Sequence, residues 1–104
     1  SEKDKPEAET LNIKHETLNN INREQQKELQ KLQKQFSKLE SHLNELNQQK
    51  INIEAELANP GNYADKNKFP QLEERYKSVQ QKLNAANKEY ETLFEKIMQL
   101  EAES

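Results

Sequence analysis

Five cations occupy one short stretch at the spacing of a helix face: Arg23, Lys27, Lys31, Lys34 and Lys38. Steps of three and four residues keep side chains on one side of an α-helix. The five therefore form a row about 20 Å long at 1.5 Å of rise per residue. Between residues 22 and 38 the opposing charges are Glu24 and Glu28, which leaves a local excess of three positive charges. Such a row can follow successive phosphates along a nucleic-acid backbone. Binding of that kind weakens steeply with salt and does not depend on base sequence, since phosphate contacts position a protein without reading bases. The row equally fits a solvated face that keeps a long helix soluble, and the residues alone leave both readings open.

No other constellation carries chemistry. The carboxylates are numerous, but on a solvated helix surface nothing would raise their pKa values toward a general acid or base. His15 and His42 stand far apart, without a His or Cys companion at ligand spacing, and are expected to be structural or solvated. The absence of cysteine excludes a disulfide framework, a thiolate zinc site and a thiol nucleophile. The single glycine cannot build a glycine-rich phosphate loop. The expectation is a chain that is not an enzyme and that holds no metal or cofactor.

The elements that must position the row are set by composition and period. Of 104 residues, 31% are hydrophobic and 34% charged, and the mean hydropathy is -1.32. That is too little apolar material for a compact globule of one domain. A disordered chain and a long two-helix seam both remain, and they differ in pattern. Leu29, Leu32, Phe36, Leu39, Leu43, Leu46, Lys50, Ile53 and Leu57 recur in alternating steps of three and four, apolar but for Lys50. Phe69, Leu72, Tyr76, Val79, Leu83, Ala86, Tyr90, Leu93, Ile97 and Leu100 keep the same rhythm without a break. Sustained over about four heptads each, this is a coiled-coil seam. Disorder is rejected from about residue 25 to 101.

Gly61, Pro60 and Pro70 fall in one short window between the two segments. Proline lacks the N–H that a helix interior needs, and Gly61 offers the left-handed conformation that often follows a helix end. Asn67 is the expected N-cap of the returning helix, with Pro70 in its first turn. Tyr63 and Phe69 are expected to fold over the open end of the seam, an exposed contact being the lesser alternative. With about ten connecting residues, the two segments pair antiparallel within one chain. The fold class expected is all-α, an antiparallel two-helix coiled-coil hairpin over residues 22–102, with helices at about 22–58 and 68–101 and a turn at 59–67. Lys50 packs its stem while its amine reaches solvent, and it faces either Leu72 or Val79; the loop length does not choose between them. Residues 1–21 begin with the mixed-charge stretch SEKDKPEAET and are expected to be a linker, disordered or partly helical.

The net charge of -3 and a pI near 5.5 argue against strong non-specific nucleic-acid binding by the chain as a whole, leaving the local row. No apolar run approaches the roughly 20 residues of a membrane span, and no signal-peptide core is visible. The chain is expected to be soluble, cytoplasmic and monomeric, without a membrane partner.

ELANPGNYADKNKF, residues 56–69, followed by a seam ending in KEYETLFEKIMQLE, resembles the C-terminal coiled-coil domain of the ABC-F family of ATP-binding cassette proteins, in particular its Uup-type branch. Leu57, Pro60, Tyr63, Ala64 and Asp65 match the family's turn. Tyr90 stands where the family usually has Trp, with Leu93 following. EQQKELQKL, residues 24–32, is similar to the family's entry into the first helix but lies about one heptad further from the turn. The resemblance covers residues 22–102; the heptads themselves are shared by many coiled coils, including the C-terminal arm of valyl-tRNA synthetase. The resemblance implies a fragment whose parent carries two ATPase cassettes upstream. ATP and magnesium would then belong to the parent and no cofactor to this domain. It implies partners among branched or duplex DNA, ribosomal RNA and the parent's own cassettes, with Arg23, Lys27, Lys31, Lys34 and Lys38 as the nucleic-acid-binding residues. The alternative is a structural or protein-interaction hairpin.

Overall fold

The computed structural model describes the backbone of residues 4–103 and the side chains of residues 22–103. Leucine, glutamine, glutamate and lysine dominate both long segments, and these residues lose little side-chain freedom in a helix. They form α1 (Asp4–Ala58) and α3 (Lys68–Glu103), joined through the single turn of α2 (Pro60–Tyr63). No strand occurs among the described residues. α3 packs along its length against the part of α1 nearer the turn, and the molecule measures 90 × 15 × 14 Å. It is the antiparallel hairpin that the period requires. The linker expected over residues 1–21 lies outside the residues whose side chains are described.

The seam is the whole core. Leu32, Leu39, Leu43, Leu46 and Ile53 of α1 meet Val79, Leu83, Ala86, Leu93 and Ile97 of α3, and no polar or charged side chain is buried among the described residues. Leu29, Phe36, Leu57, Tyr76, Tyr90 and Leu100 are half-buried along its edges. Phe36 lies 4.5 Å from Tyr90 between ring centroids, and Arg75 reaches Glu56 at 3.9 Å. These two contacts fix the register. Counting inward from each pair along antiparallel helices brings Lys50 between positions 76 and 81, level with Val79 and not with Leu72. Lys50 is half-buried there.

The turn is held by polar groups. α1 stops at Ala58, before Pro60, which opens α2 as its first residue. The Asn59 side chain accepts from the Gly61 N–H at 3.0 Å, and the Asn62 amide donates at 2.9 Å to the Glu56 carbonyl, which also accepts from the Asn59 N–H at 3.2 Å, so that two donors hold this acceptor at the end of α1. Two expectations need correction. Gly61 is helical and no described residue has positive φ, because α2 rather than a left-handed cap ends the first arm. The cap of α3 is Asp65, not Asn67. Its carboxylate accepts from the Asn67 and Lys68 N–H groups at 2.9 and 3.1 Å, while its carbonyl accepts from Phe69 at 3.0 Å. A carboxylate, with acceptor sites only, serves two adjacent donors better than an amide does.

Candidate nucleic-acid interface

The cation row is displayed as its spacing dictates. Arg23, Lys27, Lys31, Lys34 and Lys38 are all exposed on α1. Because Leu32, Phe36 and Leu39 turn one face of α1 into the seam, residues two before and two after Phe36 lie on the opposite face. Lys27, Lys31, Lys34 and Lys38 line one shallow depression of about 380 Å³ with Gln30 and Gln35, and Arg23 lies one turn beyond it. Glu24 and Glu28 are also exposed at this end of the row. The arrangement can hold anionic groups at intervals along about 20 Å. Among the described residues no group of three or more His, Cys, Asp or Glu side chains could hold a metal ion. His42 is exposed, and the His15 side chain lies outside the described residues.

The turn departs from expectation more than the row does. Tyr63 does not close the seam: it is 69% exposed. Its ring packs edge-on against Phe69, with centroids 5.0 Å apart and planes at 72°. At this end of the hairpin Leu57 and Phe69 are half-buried and Leu72 is buried. An open groove of about 350 Å³ results, lined by Leu57, Tyr63, Phe69, Glu73, Tyr76, Lys77 and Gln80. Beside it, the Asp65 carboxyl is held below the usual carboxylate range by the N–H groups of Lys68 and Asn67 and, less, by the Lys68 charge.

Residues 20–95, which take in the row, most of both arms and the turn, match the family of ABC transporter C-terminal domains. The chain belongs to that family. No curated protein and no solved structure matches it. It is thus an accessory domain of an ABC protein, the coarser form of the resemblance in the turn and seam. No helix among the described residues is long and apolar enough to cross a membrane.

The C-terminal domain also carries a surface that the seam pattern did not bring out. Phe94 and Met98 are 49% and 52% exposed, and with Phe36 and Ile97 they line a depression of about 280 Å³ near the end of the hairpin away from the turn. Glu73 and Gln80 line the groove at the turn, and Phe94 and Glu101 line this one. Their spacing in multiples of seven puts both depressions on one flank of the coil. Arg75 and Lys82, with Glu56 and Gln49, border the other flank. The signal was present in the sequence: Phe94 directly follows Leu93 and Met98 directly follows Ile97, so each sits about 100° from a seam residue and outside the seam.

Proposed function

We propose that this accessory domain binds nucleic acid in the service of an ABC-F-type ATPase, gripping backbone phosphates through Arg23, Lys27, Lys31, Lys34 and Lys38. The observation that supports it is the depression shared by four exposed lysines on the face of α1 opposite the seam. The overall charge of -3 does not cancel the row, because surface charges beyond about 8 Å are screened at physiological salt. The domain contributes no catalytic group, ATP and magnesium being handled by the parent's cassettes. A cytoplasmic, monomeric hairpin goes with this reading.

The test is fluorescence anisotropy with duplex, forked and junction DNA and with structured RNA at low salt. Binding is expected at micromolar concentrations or weaker. With four to five phosphates neutralised, affinity should fall on the order of 100-fold between 50 and 200 mM salt. Reversing Lys27, Lys31, Lys34 and Lys38 to Glu should abolish binding while helicity by circular dichroism stays intact. Unchanged binding in that variant would remove the row from the mechanism.

A second reading has its own observation. The exposed Phe94 and Met98 offer an apolar patch of the kind that docks on protein, either on the parent's cassettes or on the ribosome. Silence of every nucleic acid in the titration above favours it.

A further inference from the structure

The two flanks of the coil are unlike. Phe94 and Met98 line the depression far from the turn together with Ser37. Ile51, 58% exposed, lies two heptads on from Ser37 and so on the same flank. At the turn that flank ends in the groove beside Tyr63. These four are the exposed large hydrophobic side chains among the described residues, and the flank bordered by Arg75 and Lys82 carries none of them. The Phe94 ring is steadied by Phe36, with centroids 6.4 Å apart.

Charge divides the same way. Glu40 and Glu73 line the two depressions, Glu54 lies two heptads on from Glu40, and Glu91 lies one heptad before Met98. Against these four exposed carboxylates the stretch between the depressions carries one cation, Lys77. The other flank carries Lys68, Arg75, Lys82 and Lys96, with Glu28, Glu56 and Glu89. We infer that the apolar, acidic flank receives a third helix from a protein partner, one whose apolar stripe is bordered by lysine or arginine. The inference rests on the protein-docking reading above and is independent of what the lysine row binds.

The groove between two packed helices is the surface on which a third lies in a bundle. From Ser37 to Ile51 α1 rises about 21 Å, so an occupant of about four turns reaches from Phe94 and Met98 to Ile51. Its apolar stripe removes those side chains from water. The carboxylates on both arms select cations along its borders, since opposite charges across an interface steer the right partner and like charges reject the wrong one. The same carboxylates repel phosphate and turn nucleic acid away from this flank. A second copy is a poor occupant: two such flanks laid face to face oppose acid to acid, and the basic flank has no exposed large hydrophobic side chain to offer.

The experiment uses two synthetic helical peptides of about 21 residues, about 31 Å long, with one leucine stripe bordered by lysine in the first and by glutamate in the second. Each is titrated into the isotope-labelled 104-residue chain, and the site is mapped from backbone amide NMR shifts. The lysine peptide should shift the amides around Ile51, Phe94 and Met98 and leave those around Lys82 in place. The glutamate peptide should bind about tenfold more weakly. Phe94→Gln combined with Met98→Gln, both exposed and checked for unchanged helicity, should weaken the lysine peptide about tenfold; Lys82→Gln should not. Equal binding of both peptides on this flank overturns the cationic partner and leaves the docking reading standing. Binding of neither peptide there, or lysine-peptide binding undiminished in the double variant, overturns both. Shifts on this flank with chain concentration alone, or on adding duplex DNA, give the face to a second copy or to nucleic acid and overturn the inference.

Discussion

The seam and the turn hold the same hairpin together by opposite means. In the seam, eleven apolar side chains are buried and, among the described residues, no polar one is, so cohesion comes from surface removed from water at about 1.5–3 kcal/mol per fully buried side chain. In the turn, α2 buries nothing, and the backbone is held by Asn59, Asn62 and Asp65 at 2.9–3.1 Å. Intramolecular hydrogen bonds of this kind contribute only about 0.5–1.5 kcal/mol each. The seam therefore supplies stability, while the turn decides where the chain reverses and what the tip displays.

That division has a direct test in its largest expected effect. Leu46 is 2% exposed, at the middle of α1's buried stripe. Leu46→Ala should cost about 3 kcal/mol from lost transfer energy and the cavity left behind, read by urea denaturation. In so thin a core there is no second layer to collapse into the gap. A loss no greater than that caused by substitutions in the turn would break the contrast drawn here.

Asp65 gives the middle-sized effect. Its carboxyl is held below its ordinary value by the N–H groups of Lys68 and Asn67. A depressed acid stabilises the folded state above the unfolded carboxylate pKa, about pH 4, and loses that contribution as pH falls through the lower folded value. Asp65→Asn should therefore lower the melting temperature at pH 7, by less than Leu46→Ala does. The gap between variant and native chain should close at acid pH. A gap independent of pH would mean that geometry, not charge, makes Asp65 the cap.

The same contrast explains how much of the molecule was legible beforehand. A period of three and four is written many times over, so one exception such as Lys50 cannot erase it, and the outer face that carries the lysine row follows from the same phase. The register did not follow, because Leu72 and Val79 are equally acceptable partners for Lys50 until Phe36–Tyr90 and Arg75–Glu56 are seen. In the turn each instruction is written once and competes with near-synonyms. Asn67 and Asp65 are both good caps, and Gly61 is compatible with either a left-handed or a helical backbone. Phe94 and Met98 were obscured for a third reason: attention to the seam period discards apolar residues that fall one position beside it.

Gly61 carries the smallest expected effect. A glycine beside a proline at a helix end invites the view that only glycine fits, and in a left-handed conformation any side chain would be strained. Here Gly61 lies inside α2 with no positive φ, and a Cβ added to it would meet only the Asn59 Oδ1, at 3.4 Å. That neighbour is the end of a side chain, which can give by a fraction of an ångström. What remains is the unfolded chain, where alanine has fewer conformations to lose than glycine. Gly61→Ala should thus leave the fold unchanged and raise stability by about 0.4–1 kcal/mol, measured as a small upward shift in the urea midpoint. A loss of more than about 1 kcal/mol would show that the reversal requires a backbone conformation only glycine provides, and the division between seam and turn would then have to be drawn again with the turn as a source of stability.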